Sequence, residues 1–279
     1  MESKKAGLVA ELAKKAHGFR QDILEMTYAA GSGHPGGSLS AIDIITVLYF
    51  HSMKTDPNNP NWPDRDRFIL SKGHCCPALY AALAGKGFFP KEELMKLRKF
   101  GSLLQGHPDM TITPGIEMST GSLGQGLSVA CGMAIAAHLD KKDYRVYCMV
   151  GDGESQEGNI WIGAMLAAHL KLDNLTAIVD RNGLQIDGTT EQVMSLEPLS
   201  DKWRSFGWNV IEIDGHNMFQ IISALETAVS MKEKPTVIIA KTLKGKGVSF
   251  MEGQLAYHGR ALTKDEMEKA REELSRTED

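Results

Sequence analysis

The sequence predicts an α/β fold in which a parallel sheet is covered by helices on both faces. Five short runs rich in Val, Ile and aromatic residues have the composition of strands: 67–71, 145–150, 175–180, 209–214 and 236–241. Segments of helical period separate them, and apolar strands that alternate with helices are typical of a sheet buried on both sides. At 279 residues and 42% hydrophobic, the chain can bury a full core. We interpret residues 1–279 as a single domain.

Three of the intervening segments have the apolar spacing of helices. The first covers residues 40–53, where Ser40 and Asp43 are expected to act as a capping-box pair at the helix start. The others cover residues 160–172 and 218–232. The final stretch, 263–279, is highly charged, which predicts a solvated helix with a frayed end.

The charge and the apolar content of the sequence argue against nucleic acid and membranes as partners. The net charge is −4 with both signs scattered along the chain, so the sequence offers no basic face for nucleic acid. The N-terminus lacks the unbroken apolar run of a signal peptide, and no stretch approaches a membrane span, so we expect a cytoplasmic protein with no membrane partner. The cysteines lack zinc-site spacing and are predicted to be reduced and buried: Cys75, Cys76, Cys131 and Cys148.

Polar and glycine-rich segments follow every predicted strand. Parallel strands point their carboxyl ends to one edge of the sheet, where ligands of such folds bind. The segments expected at this edge are SKGH (71–74), GDGESQEG (151–158), DRNGLQIDG (180–188), DGHN (214–217) and KTLKGKG (241–247). Three further glycine-rich loops, 29–39, 103–109 and 119–126, are expected to join them. The sequence therefore predicts the functional site at this edge.

Asp152 and Asn182 each lie just past a strand, so adjacent parallel strands would bring them together. A carboxylate, an amide oxygen, a backbone carbonyl and ligand phosphate oxygens form the octahedral set that Mg²⁺ prefers. Gly151 and Gly153 allow the backbone to approach a ligand closely, and a helix that begins after Glu157 would direct its N-terminal dipole at a phosphate. The alternative is a tight turn in which Asp152 caps a helix.

The nine histidines fall into those in glycine-rich loops and those in helix-like segments. Histidine titrates near neutrality, so a histidine beside glycine at a strand end suits proton transfer to and from hydroxyl groups. Candidates in glycine-rich loops are His34, His74, His107 and His258, whereas His17, His51, His138 and His169 fall in helix-like runs and are expected to be structural or solvated. His216 is left open. Lys244 and Lys246 could bind a sugar phosphate or be solvated.

The run GDGESQEGNIW…AAHLKLDNLTAIVDRNGLQIDG resembles the thiamine-diphosphate motif in its transketolase form. Other segments resemble transketolase segments, in transketolase order: SGHPGGSLSAIDI, LSKGH, GHPD, STGSLGQGLS, FGWNVIEIDGHN, KTLKGKG and YHG. The resemblance covers residues 7–262, and several motifs in register are more specific than any one of them. It implies the diphosphate-binding domain of the thiamine-diphosphate fold.

The resemblance also implies roles for individual residues. Asp152, Asn182 and the backbone oxygen of Leu184 would bind Mg²⁺ or Ca²⁺. The expected cofactor-binding set is His74, Gly121, Leu123, Gly151, Asp152, Gly153, Asn182 and His258. The expected catalytic set is His34, His74, His107 and His258, which would bind substrate oxygens and move protons, with Glu157 in a carboxylate network that links paired active sites.

The implied reaction is transfer of a two-carbon ketol unit from a ketose phosphate to an aldose phosphate, as in the pentose phosphate pathway. Full-length transketolases carry a pyrimidine-binding domain and a C-terminal domain beyond this region, whereas this sequence ends at Asp279. We therefore expect the N-terminal subunit of a split transketolase, inactive alone, with a C-terminal partner subunit in an α2β2 heterotetramer. In isolation it is expected to form a homodimer near Glu157. A truncated chain is the alternative.

Three other functions stay open at this point. An alpha-type subunit of a thiamine-dependent 2-oxo acid dehydrogenase or decarboxylase has a similar domain, but the histidines of GHPGGSL, GHPD and YHG suit a hydroxylated sugar better than an acid. A non-catalytic regulatory homologue is disfavoured by the intact Asp152, Asn182 and loop histidines. A split transketolase specialised for an unusual sugar would use the same catalytic residues.

Overall fold

A parallel five-stranded sheet forms the centre of the molecule. The structure is a computed structural model that describes residues 2–276. Its strands are β1 Arg67–Leu70, β2 Val146–Gly151, β3 Leu175–Arg181, β4 Leu184–Gln185, β5 Gly188–Thr189, β6 Asn209–Asp214 and β7 Thr236–Lys241. The sheet order is β1-β2-β3-β7-β6 with all neighbours parallel, and β4 and β5 form a small antiparallel pair beside it. All five predicted strands are present to within one residue at each end, and the predicted fold class is confirmed.

Helices cover both faces of this sheet. They are α1 Glu2–Ala30, α2 Pro35–Val47, α3 Cys76–Lys86, α4 Gln125–Leu139, α5 Gly158–His169, α6 Thr190–Val193, α7 Leu199–Ser205, α8 Met218–Ser230 and α9 Lys264–Arg276. The core cluster on one face draws on α1, α2, α3, α8 and α9, and the cluster on the other draws on α4, α5 and α7.

The alternating direction of the side chains along each strand explains why helices cover both faces of the sheet. In β2, Tyr147 and Met149 belong to one core cluster, while Val146, Cys148 and Val150 belong to the other. Successive side chains of a strand point to opposite faces, so a strand that is apolar at every position must be buried on both. The four cysteines are buried free thiols, as predicted.

The predicted capping box at Ser40 and Asp43 is wrong. Helix α2 begins five residues earlier, with Pro35 in its first turn, where the missing N–H of proline carries no penalty. Ser40 and Asp43 therefore lie inside the helix. The Ser40 hydroxyl donates to Asp180 at 2.6 Å, and the Asp43 carboxylate pairs with Arg20 at 2.5 Å.

Helix α1, which spans 29 residues, was not predicted from the alternating charges of the N-terminus. Its buried positions include Leu12, Ala16, Phe19 and Ile23, which follow the three- and four-residue spacing of one helix face. The signal was therefore present but sparse, because long polar side chains occupy the remaining faces.

The predicted C-terminal helix is present as α9, but one face of it is buried rather than solvated. Met267, Ala270 and Leu274 belong to the core, and Arg271 pairs with Glu25 of α1 at 2.6 Å. The predicted frayed end, residues 277–279, lies outside the described residues. Among the residues described, no helix combines the length and the apolar character needed to cross a membrane.

Candidate functional site

A cavity of about 350 Å³ opens at the carboxyl edge of β1, β2 and β3. The predicted site residues that line it are His34, His74, Gly121, Leu123, Gly151, Asp152, Gly153, Asn182, Leu184 and His258. His107 is exposed at the mouth, where its ring lies next to Gly121, and Glu157 is exposed outside the cavity. Of the expected segments, 214–217 after β6 and 241–247 after β7 do not line this cavity.

Asp152 and Asn182 come together because β2 and β3 are adjacent, with Gly151 in register with Asp180. Asp152 is 2% exposed, and its carboxylate accepts hydrogen bonds from the backbone N–H of Gly153 at 2.8 Å and of Gly183 at 2.5 Å. Burial raises the pKa of Asp152, and these hydrogen bonds partly oppose that rise.

The backbone geometry around Asp152 differs in one respect from the expectation. Helix α5 begins at Gly158, after Glu157, as predicted, but a 3₁₀ turn, Gly153–Gln156, separates it from Asp152. Asp152 caps this turn, as the alternative interpretation of the sequence predicted. The backbone N–H groups that donate to the carboxylate belong to Gly153 of this turn and to Gly183, and not to α5.

The residues around Asp152 fit a metal only together with an anionic ligand. Asn182 Oδ1 accepts a hydrogen bond from the N–H of Leu184 at 3.1 Å, which places the Leu184 backbone beside the amide. Within residues 2–276, no group of three or more His, Cys, Asp and Glu side chains could hold a metal ion. One carboxylate, one amide oxygen and one backbone oxygen leave further positions for phosphate oxygens and water, which is how Mg²⁺ is commonly bound.

Glu154 organises the floor of the cavity and was not singled out from the sequence. Its buried carboxylate accepts hydrogen bonds from the N–H of Gly124 at 2.8 Å, from the N–H of Gly151 at 3.0 Å and from the Ser71 hydroxyl. Burial raises the pKa of Glu154 despite these bonds. The carboxylate thereby ties together the ends of β1 and β2 and the start of α4. The sequence signal was a third acidic residue in the segment after β2, without an indication of its partners.

Lys72, which lines the cavity, forms a buried ion pair with Asp180. They are 1% and 0% exposed, and Lys72 Nζ also donates to the Gly37 carbonyl at 3.1 Å. Burial alone would raise the pKa of Asp180, but Lys72 lowers it below its ordinary value. Asp180 also accepts hydrogen bonds from the hydroxyls of Ser40 and Thr242, so one carboxylate joins α2, β1, β3 and the end of β7.

His34, His74 and His258 form a cluster on the cavity wall. Their ring centroids are 5.1 Å (His34 to His74), 5.6 Å (His34 to His258) and 5.4 Å (His74 to His258) apart. Burial, with neighbouring cations and rings, lowers the pKa of His34 and His74 to about 4 and that of His258 to about 3. All three are therefore neutral near pH 7. His34 Nδ1 is buried without a hydrogen-bond partner within residues 2–276, which leaves a polar atom for a ligand.

The two lysines that the sequence left open lie in different surroundings. Lys244 is 2% exposed, and its Nζ lies 2.8 Å from Nδ1 of His258. Burial lowers the pKa of Lys244. Lys246 is partly exposed and pairs with Glu252 at 3.3 Å.

The remaining histidines lie outside the cavity. His216 bonds through Nδ1 to Asp43 at 2.7 Å and accepts from the N–H of Leu243 at 2.9 Å, so both ring nitrogens are used within the fold. The other four lie in helices or helical turns: His17, His51, His138 and His169.

Comparison with known proteins places this arrangement in a family. Residues 13–278 match the family described as "Transketolase, thiamine diphosphate binding domain". The chain is 51% identical to the 6-deoxy-6-sulfo-D-fructose transketolase subunit SqwG of Clostridium sp. (strain MSTE9), over 95% of this chain and 97% of that protein. It is 49% identical to an apulose-4-phosphate transketolase subunit of Phocaeicola vulgatus, over 92% of this chain and 91% of that protein.

Longer relatives contain this chain as a part. The transketolase of Pongo abelii is 42% identical over 94% of this chain but only 42% of its own length. Among solved structures, the transketolase of Campylobacter jejuni superposes with a TM-score of 0.90 at 37% identity, covering 95% of this chain and 42% of that one. The chain thus spans nearly all of two proteins named as subunits and about two fifths of those named as whole enzymes.

Proposed function

This chain belongs to the transketolase family, and we propose that it is the N-terminal, thiamine-diphosphate-binding subunit of a split transketolase. The predicted family and enzyme class are confirmed by the matched domain and by the relatives named as transketolases and transketolase subunits. The split arrangement is supported by the extent of the match, which covers 97% and 91% of the lengths of the two relatives named as subunits. A separate chain with the pyrimidine-binding and C-terminal domains would then complete the active site.

The proposed reaction is transfer of a two-carbon ketol unit from a ketose phosphate to an aldose phosphate. A second candidate is a split transketolase for an unusual sugar, because the two subunit relatives are named for a sulfosugar and for apulose 4-phosphate. Because the relatives are named as transketolases or transketolase subunits, they favour these two transketolase candidates over a subunit of a 2-oxo acid dehydrogenase or decarboxylase. Cytoplasmic location and a place in the pentose phosphate pathway remain predictions from the resemblance.

The cavity has the features that the diphosphate of the cofactor requires. A Cβ at Gly153 would lie 2.6 Å from Gln185 Oε1 and 3.1 Å from Gln185 Cβ, so a side chain there would displace Gln185, which also lines the cavity. Asp152, Asn182 and Leu184 would hold Mg²⁺ or Ca²⁺ against the diphosphate. When bound, thiamine diphosphate supplies the electron sink that stabilises a carbanion during ketol transfer.

The histidine cluster would handle the substrate oxygens and their protons. A neutral imidazole carries one donor and one acceptor nitrogen, so a ring whose acceptor nitrogen is free can bind a hydroxyl and accept its proton. His34 offers the unpartnered Nδ1 for this purpose, and His107 lies at the mouth, where the substrate would enter. Glu154 keeps the Gly124 and Gly151 backbones in place around the ligand.

The partner surface is proposed to include the outer side of α5, next to Glu157. Ile162 and Met165 are 57% and 51% exposed there, and Leu166 is exposed beside them. Apolar side chains grouped at a surface are typical of a protein interface. Contact through this surface would support the proposed α2β2 assembly or, for the chain alone, a homodimer.

The test is ketol transfer from xylulose 5-phosphate to ribose 5-phosphate, with thiamine diphosphate and Mg²⁺, by this chain alone and after addition of a candidate C-terminal subunit. Activity only in the mixture is expected. Activity of the chain alone would contradict the split arrangement. A mixture that is inactive with these sugars but active with apulose 4-phosphate or a sulfosugar would establish the second candidate.

A further inference from the structure

Lys244 and Lys72 are both buried at this site, but within the described part of the chain only Lys72 forms an ion pair. Lys72 is neutralised by Asp180. Lys244, just past the end of β7, has its Nζ 2.8 Å from Nδ1 of His258, and within residues 2–276 no carboxylate oxygen lies within the 4.0 Å that defines an ion pair. Burial of an ammonium without a carboxylate is unfavourable for folding, which sets Lys244 apart from Lys72.

The side chain of Lys244 is held in this place by the surrounding backbone. A Cβ added at Gly36 would lie 3.0 Å from Lys244 Cγ and 2.8 Å from the carbonyl oxygen of Tyr257. The absence of a side chain at Gly36 thus lets α2 pack directly against the lysine and against the segment that carries His258. The N–H of Gly245 also donates to the carbonyl of Gly36 at 2.9 Å, which fixes the loop to α2.

The direction of the Lys244 to His258 hydrogen bond follows from chemistry. An ammonium has three donors and no acceptor, so Nδ1 of His258 must be the acceptor. The single proton of a neutral imidazole is then on Nε2. We propose that Lys244 is a positioning residue that fixes His258 as the Nε2–H tautomer, so that the ring presents a hydrogen-bond donor to the ligand.

The charges around His258 favour a single neutral form of the ring. Besides burial, which is the largest cause, the groups that lower its pKa are Lys244, His74, His34 and Lys72. Together with burial they lower the pKa of His258 to about 3, so the ring does not gain a second proton in the working range. The tautomer alone therefore decides whether the ring donates or accepts.

This inference rests on the proposed function, in which the cavity binds phosphate and sugar oxygens. A donor N–H suits a phosphate oxygen, which only accepts, whereas the other tautomer would present a lone pair to it. The role of Lys244 is analogous to that of outer partners that set the tautomer of metal-binding histidines. It acts through His258 and does not require contact with the substrate.

The test is nitrogen NMR of the full chain labelled with ¹⁵N-histidine, with the His258 signals identified by their loss in His258→Gln. Between pH 5 and 9, Nδ1 should be unprotonated and Nε2 protonated. A protonated Nδ1 would overturn the proposal, because it would mean that a neutral Lys244 amine accepts the hydrogen bond. A mixture of both tautomers would overturn it as well. The spectrum needs neither a partner subunit nor turnover, so its outcome is independent of the activity test.

Variants separate tautomer control from packing. In Lys244→Met the tautomer preference should be lost, and the pKa of His258 should rise because a nearby cation is gone. Lys244→Arg keeps a charged donor and should restore the spectrum of the unmodified chain. Lys246→Met, which removes a partly exposed lysine two residues away, is the matched control and should leave the His258 signals unchanged. A Lys244→Met spectrum identical to that of the unmodified chain would refute the role.

Discussion

Removal of the ammonium from the buried pair of Lys72 and Asp180 should destabilise the fold strongly. In Lys72→Met the carboxylate of Asp180 stays buried without its counter-ion, and breakage of a buried pair in this way typically costs about 3–5 kcal/mol. Asp180 keeps hydrogen bonds from Ser40, Thr242 and Asn182, which stabilise the carboxylate. We therefore expect the lower end, about 3 kcal/mol.

The assay is urea unfolding followed by circular dichroism, on the chain without cofactor. Lys171→Met, which breaks the exposed pair with Glu233, is the control and should change the free energy of unfolding by less than about 1 kcal/mol. The double variant Lys72→Met/Asp180→Leu should be less destabilised than the sum of the single changes. A loss below about 1 kcal/mol in Lys72→Met would refute this reasoning, because it would place the pair in a solvated environment.

The pH dependence of the Lys72→Met effect has a definite sign. In the unmodified chain the pKa of Asp180 is lower in the folded than in the unfolded state. The ionised carboxylate therefore stabilises the fold fully at pH values above its unfolded-state pKa, and this stabilisation is lost as the pH falls through its folded-state pKa. Without Lys72, burial should raise that pKa above the unfolded value. The folded variant would then bind the proton more tightly than the unfolded chain, and its stability should fall as the pH rises. The destabilisation should be smaller at pH 5 than at pH 8.

Further predictions concern α4, the histidine cluster and the metal ligand. Gly126→Ala should destabilise by about 1–3 kcal/mol in urea unfolding, since its Cβ would lie 2.5 Å from that of Ser71, whereas Gly132→Ala in the same helix meets no atom within 4 Å and should stabilise by up to about 1 kcal/mol. The pKa of His74 is lowered to about 4, so the unfolded chain binds more protons between pH 6.5 and pH 4. The urea midpoint should fall as the pH is lowered through this window, and His74→Gln should reduce that fall. Asp152→Asn should weaken Mg²⁺-dependent binding of thiamine diphosphate by at least about tenfold in calorimetry, because one anionic ligand is lost; unchanged affinity would exclude it as a ligand.

The sheet and the location of the site could be predicted from sequence because both depend on local patterns. Apolar runs that end in glycine and acidic residues identify the strands and their carboxyl ends, and the parallel arrangement then brings Asp152 and Asn182 to one edge. The start of α2 shows where a local pattern misleads, because the capping pattern at Ser40 lies inside the helix, which begins at Pro35. Proline in the first turn was the stronger signal.

Partners of buried charges could not be predicted in the same way. Lys72 and Asp180 are 108 positions apart, and Lys244 contacts His258 at a place where Gly36 of α2 packs against both chain segments. A sequence shows that a lysine is present but not whether it is solvated or buried. Lys244 and Lys246 illustrate this, since they are two residues apart in one glycine-rich segment, yet only Lys244 is buried, where it contacts His258 of the cavity wall.

The unpaired charge of Lys244 has a consequence for stability that differs with and without the cofactor. Replacement of a buried, unneutralised ammonium by an apolar side chain of similar length is commonly neutral or stabilising, whereas the hydrogen-bond acceptor left on His258 costs about 1 kcal/mol. Lys244→Met should therefore be as stable as the unmodified chain, or more stable by about 1–2 kcal/mol, without cofactor. Thiamine diphosphate with Mg²⁺ should stabilise the unmodified chain more than the variant, since binding supplies the negative charge that Lys244 lacks. The two urea midpoints, each measured with and without the cofactor, test this. Lys244→Met could instead be less stable than the unmodified chain without cofactor and be stabilised by the cofactor to the same extent. That result would show that Lys244 is only a packing residue.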